Sequence, residues 1–302
     1  MELKGVYPAL VTPLTADEQV DKAAMRRVVR YCLDGGVHGV VVMGSTGEFP
    51  AMTEVMRQEA IETVLDEVQG KVPVLIGCGE PGTQRTILQV QLAARTKASA
   101  VLVAIPYYFP LDQNAVIRHY ELVAERSELP VVMYNFPQMT KTAFTAATIK
   151  RLAQHPNIIG VKDSSGDFIG LQRYLDVTRD SDFSVMSGNP ALGLAGYELG
   201  ARGGIYAGCS LFPKQCADVY NAFVKGDKEA ASALQRKASL IPLMGGFGPA
   251  AAVVKFGLSK LGICSSVVSA PLGLTEGQED NILAWMCQID PEKSEFLSLT
   301  GL

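Results

Sequence analysis

Lys162 closes an apolar run, Asn157-Ile158-Ile159-Gly160-Val161-Lys162-Asp163. An amine in that position can do chemistry that a solvated lysine cannot. Desolvation disfavours the ammonium form, and a neutral primary amine adds to a carbonyl to give a Schiff base. The bland alternative is a lysine that snorkels past the apolar layer and keeps its charge in water. Other residues bear on the choice. In Gly44-Ser45-Thr46-Gly47-Glu48 the glycines let backbone N–H groups approach an anion, and the hydroxyls can help hold a carboxylate or phosphate. Its plain reading is a turn whose hydroxyls satisfy loose backbone groups. Tyr134, ahead of Asn135-Phe136-Pro137, puts a phenol at the end of another apolar run, as a proton carrier or as a core aromatic. Tyr107 and Tyr108 end a further run and could pack at a subunit contact.

Positioning these groups falls to a regular alternation. Eight strand-like runs recur: 5–12, 38–44, 72–77, 100–106, 130–135, 157–163, 183–188 and 203–208. Helix-periodic segments lie between them, at 21–33, 53–68, 83–96, 113–127, 145–153, 168–178, 191–199 and 213–225. Eight such units point to an α/β fold of the (β/α)₈ TIM-barrel type over residues 1–225. A doubly wound sheet shares the alternation, but no GxGxxG follows a strand. Helical patterns alone continue at 227–240, 249–261 and 275–289, so residues 226–302 are expected to form a small helical extension docked on the barrel. In a barrel the active site lies at the C-terminal ends of the strands. Thr12, the 44–48 loop, Tyr107 and Tyr108, Tyr134 and Lys162 all stand there.

Composition narrows the function. The 302 residues are 48% hydrophobic and 19% charged, with a net charge of -4 and no dense basic cluster, which speaks against nucleic acid as a partner. Small-molecule chemistry is the expectation. No apolar stretch approaches the roughly 20 residues of a membrane span, and the N-terminus lacks a signal pattern, so a cytoplasmic protein is expected. Six cysteines without a CxxC pair and three histidines far apart in sequence suggest reduced thiols and no local metal site.

Taken together, GSTGE, PYYFP at 106–110, YNFP at 134–137 and GVKDSSGD at 160–167 resemble the dihydrodipicolinate synthase and N-acetylneuraminate lyase superfamily over almost the whole chain. That resemblance implies a (β/α)₈ barrel with a helical C-terminal domain, assembled as a homotetramer of two tight dimers. It implies Lys162 as the Schiff-base lysine and Tyr134 as a proton relay. Ser45 and Thr46 would hold a pyruvate carboxylate, with Gly47, Ile205 and Met139 completing the substrate-binding set. Tyr108 would extend the relay through Ser45, and one of Tyr107 and Tyr108 would approach the neighbouring subunit's site. No metal or organic cofactor is implied.

The chain departs from particular members of that superfamily at the far end of the substrate. The synthase that condenses pyruvate with aspartate semialdehyde has an arginine where this chain has Met139, and the nearest substitute cation is Lys141. Sialic-acid lyases carry an acidic pair where Asn189-Pro190-Ala191 stands, and a serine that Gly204-Ile205-Tyr206-Ala207-Gly208 lacks. The expected function is therefore a pyruvate-forming class I aldolase acting on a 4-hydroxy-2-oxo acid, such as a 2-keto-3-deoxy sugar acid. The alternatives are 4-hydroxy-tetrahydrodipicolinate (dihydrodipicolinate) synthase, a dehydratase or deaminase starting from the same Schiff base, and a non-catalytic barrel that binds a 2-oxo acid.

Overall fold

The computed structural model describes residues 2–292. The last ten residues of the expected extension, 293–302, lie outside the described residues. The eight expected strands are all present, each shorter than its apolar run: β1 (Gly5–Pro8), β2 (Val40–Val42), β3 (Val74–Gly77), β4 (Ala100–Ala104), β5 (Val131–Asn135), β6 (Ile158–Asp163), β7 (Ser184–Ser187) and β8 (Gly203–Tyr206). They pair in parallel in the order β1-β8-β7-β6-β5-β4-β3-β2. Between β1 and β2 a parallel bridge joins Ala9 and Val41, and Leu10 N–H donates to Val41 O at 2.9 Å. The sheet thus curls into a barrel.

Successive strand side chains point to opposite faces, and this sorts the apolar residues into two cores. Tyr7, Val41, Leu75, Leu102, Val132, Tyr134, Met186 and Ile205 fill the barrel interior. Their neighbours Val6, Val40, Val42, Val74, Val101, Val131, Met133, Val161 and Val185 face outward, against the helices. Lys162 follows outward-facing Val161 and so shares the inner face with Tyr134.

The surrounding helices are α1 (Lys22–Asp34), α2 (Glu54–Val68), α3 (Thr83–Ala94), α4 (Gln113–Arg126), the single turn α5 (Pro137–Thr140), α6 (Ala146–Leu152), α7 (Phe168–Thr178), α8 (Gly193–Glu198) and α9 (Pro213–Val224). Side-chain caps start several of them. Asp21 accepts from Ala24 N at 2.9 Å, Asp112 from Ala115 N at 2.7 Å and Thr145 from Thr148 N at 3.2 Å, each satisfying an otherwise orphaned donor.

Beyond the barrel come α10 (Lys228–Ala238), α11 (Ala250–Lys260) and α12 (Glu279–Ile289). They dock closely. Trp285 stacks edge-on against Phe212 at 5.2 Å and donates its indole N–H to Leu240 O. Gly257 lets α11 approach Leu211 so closely that a Cβ there would lie 2.6 Å from the leucine side chain. Among the described residues no single helix is long and apolar enough to cross a membrane; Lys228–Gly246 and Ala250–Lys260 reach that length only as a pair bent by 114°.

Candidate active site

Strands β5 and β6 run in register with Tyr134 opposite Lys162, and both side chains are only 5% exposed. The Lys162 Nζ lies 4.1 Å from the centre of the Tyr134 ring. That ring in turn stacks on Phe136, with centroids 5.7 Å apart and planes 20° from parallel. No carboxylate stands within ion-pair distance of Lys162 among the described residues. The contrast is Lys255 on α11, which is just as buried but paired with Glu48. Burying an unpaired charge is expensive, so two buried lysines in one chain have two different explanations. Lys255 is held by a counter-charge, and Lys162 lies against the Tyr134 ring with no carboxylate beside it among the described residues.

The outward-facing neighbours of this pair hold it in place. Asn135 Nδ2 donates to Asp163 Oδ1 at 2.6 Å, and Asn135 Oδ1 accepts from Phe144 N at 3.2 Å. Tyr174 on α7 donates to Phe144 O at 2.7 Å, and the Ser165 hydroxyl donates to Asp163 Oδ2 at 2.9 Å. Burial pushes the Asp163 carboxyl upward, and its bonds from Asn135 and Ser165 oppose that shift. The network locks the ends of β5 and β6, which fixes the directions of Tyr134 and Lys162. Asn135 and Asp163 were visible in the motifs, but their role was not, because it depends on the strand face each occupies.

The 44–48 loop forms a short 3₁₀ turn over Ser45–Gly47 at the end of β2. Gly47 N–H is spent on Gly44 O, and Gly47 O accepts from the Thr12 hydroxyl at 2.8 Å. The first N–H groups of such a turn have no acceptor within it, and here they belong to Ser45 and Thr46. Thr46 is buried and Ser45 exposed. Met43 (φ +58°) and Glu48 (φ +61°) bracket the turn in left-handed backbone that non-glycine residues seldom adopt. Gly77 is required beside it, since a Cβ there would fall 1.9 Å from Met43 O. Glu48 is engaged by the C-terminal extension. Its Oε1 meets Lys255 Nζ at 2.5 Å and its Oε2 accepts from Ser269 N at 2.7 Å. Sequence reasoning missed Lys255, although a lone lysine in the apolar run Ala250-Ala251-Ala252-Val253-Val254-Lys255-Phe256 was a signal to find it.

The remaining expected site residues divide. Ile205 packs in the barrel interior with Tyr134. Met139 sits on α5, 63% exposed, and Lys141 follows it in left-handed conformation with its side chain exposed. Tyr107 is half-buried, edge-on to Phe49 at 6.0 Å, and lines a cavity of about 530 Å³ together with Arg57 and Glu80. Tyr108 is 79% exposed, with its ring edge-on to that of Phe109. Among the described residues no hydrogen bond joins the hydroxyls of Tyr108, Ser45 and Tyr134 within one chain.

A family model described as the dihydrodipicolinate synthetase family matches residues 2–288. The chain belongs to that family. Among its relatives, a 4-hydroxy-tetrahydrodipicolinate synthase of Methanospirillum hungatei is 37% identical over 238 residues, covering 78% of this chain and 81% of that one. An uncharacterized DapA-like lyase of Halobacterium salinarum is 35% identical over 270 residues, covering 89% and 88%. The solved structure of YagE, a prophage protein of the dihydrodipicolinic acid synthase family from Escherichia coli K12 in complex with pyruvate, superposes with a TM-score of 0.92 at 29% identity, covering 96% of this chain and 99% of that one. A monomeric dihydrodipicolinate synthase variant gives 0.91, also at 29% identity, covering 95% and 97%. Members of the dihydrodipicolinate synthetase family are lyases and aldolases, and this chain is one of that family's barrels.

Proposed function

We propose that this protein is a pyruvate-dependent class I aldolase that cleaves or forms the C3–C4 bond of a 4-hydroxy-2-oxo acid, such as a 2-keto-3-deoxy sugar acid. The observation that carries the reading is Lys162, buried with no carboxylate partner among the described residues and 4.1 Å from the ring of Tyr134. A barrel that only bound a 2-oxo acid would have no use for a bare, buried amine beside a phenol. The pyruvate bound in the YagE structure supports the same substrate class.

In the cleavage direction, the Lys162 amine adds to the C2 carbonyl and the carbinolamine loses water to give an iminium. The C4 hydroxyl gives its proton to a relay that begins at Tyr134, while the C3–C4 electron pair moves into the iminium and leaves an enamine. The aldehyde departs. Protonation at C3 restores the iminium, and water then releases pyruvate and the free amine. The N–H groups of Ser45 and Thr46, with their hydroxyls, receive the carboxylate at C1, which fixes C2 against Lys162. In this reading Tyr108, from its own or a neighbouring chain, joins the relay through Ser45. The chemistry needs no metal or organic cofactor.

Specificity for the other end rests on Met139. A bidentate cation there would grip a second carboxylate, and a thioether does not. The names of the relatives favour the second reading, condensation of pyruvate with aspartate semialdehyde, in which Lys141 would have to supply the missing charge. Comparing pyruvate release from a panel of 2-keto-3-deoxy acids with condensation onto aspartate semialdehyde decides between them; efficient condensation overturns the aldolase assignment. We also infer a cytoplasmic homotetramer with the barrel over 1–225 and the extension over 226–302. The exposed Tyr108 and Phe109 pair supports contact between subunits near the barrel mouth.

A further inference from the structure

The Glu48–Lys255 pair does more than join the extension to the barrel. Each partner makes a second, directional bond: Glu48 Oε2 accepts from Ser269 N at 2.7 Å, and Lys255 Nζ donates to Val267 O at 2.8 Å. The pair therefore ties the 3₁₀ turn to α11 and to the segment that follows it. That segment is itself strapped to the first βα connection and to α1. Ser265 Oγ donates to Leu14 O at 2.6 Å, Ala270 N to Glu18 Oε2 at 3.3 Å and Arg27 Nε to Ile263 O at 2.8 Å. From the β1 side, Thr12 holds Gly47 O. The turn carrying Ser45 and Thr46 is thus clamped from two directions, and Glu48 accepts left-handed backbone to reach its partner.

A buried ion pair is a poor device for stability alone, since apolar residues of similar volume often do as well. What it supplies is fixed position and direction. Misplacing a binding group by about 1 Å can cost about a hundredfold in rate. We propose that Glu48 and Lys255 are positioning residues through which the C-terminal extension sets the turn that receives the substrate's C1 carboxylate. The proposal rests on reading the site as a 2-oxo acid site and extends it by giving the extension a role in substrate affinity.

The test is borohydride trapping across a range of pyruvate concentrations, below the melting temperature of every variant. Lys255→Met leaves a buried, uncompensated carboxylate and can fail to fold, so the neutral double variant Glu48→Gln with Lys255→Met carries the comparison. In the folded double variant, half-saturation by pyruvate should rise about tenfold, while trapping at saturating pyruvate stays within about threefold of wild type. Ser265→Ala, which loosens the strap away from the turn, should leave half-saturation within about twofold even if it melts earlier. Unchanged half-saturation in a folded double variant overturns the proposal. So does a shift that merely follows melting temperature and is shared by Ser265→Ala. A wild-type protein that traps no pyruvate instead overturns the Schiff-base reading, and the positioning role with it.

Discussion

Lys162 and Lys255 differ in what surrounds them, and on that difference rests the proposal that the first does chemistry and the second holds architecture. Lys162→Ala should abolish the reduced pyruvate adduct while leaving the fold intact, as read by mass and melting temperature. Tyr134→Phe should retain more adduct than turnover, because in the proposed mechanism the phenol moves the C4 proton rather than forming the iminium; equal loss of both would contradict the relay. Asn135→Leu strips Asp163 of its 2.6 Å donor and should cost about 2 kcal/mol of unfolding free energy, with a fall in kcat as the ends of β5 and β6 loosen. At this scale the sequence was informative wherever a motif carried the group itself. It was silent on Glu48 with Lys255 and on Asn135 with Asp163, because strand face and long-range packing decide whether a carboxylate meets a ligand, a lysine or an amide.

At the scale of elements, strand and helix order was readable because the inner and outer faces of each strand are both apolar, which leaves unbroken runs, while caps such as Asp21 mark where helices begin. The single turn α5 was not legible. Four residues have no helical period, and Pro137 in YNFP reads equally well as a loop. The elements also carry a pH response that no motif showed. His119 on α4 is buried, with its Nδ1 against the Thr83 hydroxyl at 2.9 Å and its Nε2 without a partner among the described residues. Burial lowers its pKa from 6.5 to about 4. Between those values the unfolded chain binds a proton that the folded chain refuses. The contribution of His119 to stability should therefore fall as pH drops from about 6.5 to about 4, by about 3 kcal/mol. His119→Gln should flatten that part of a denaturant-monitored pH profile by a similar amount, and an unaltered slope would place the sensitivity elsewhere.

For the whole molecule, count and alternation gave the barrel, and the lack of further strands gave the helical extension. The expectation of a tetramer came only through resemblance, and the fold by itself does not fix it, since a monomeric variant shares that fold at a TM-score of 0.91. The exposed Tyr108 and Phe109 make assembly testable. Sedimentation of the wild type should show a tetramer, and replacing both rings with serine should shift the distribution toward smaller species and lower turnover. A wild-type monomer of full activity would remove the neighbouring tyrosine from the mechanism. The central claim, that a bare buried lysine performs the chemistry, meets its most direct measurement in one tube. The protein is incubated with pyruvate, reduced with borohydride, digested and weighed. The account predicts the reduced adduct on the peptide containing Lys162 and none in Lys162→Ala; an unmodified wild-type protein, or an adduct on another lysine, would contradict it.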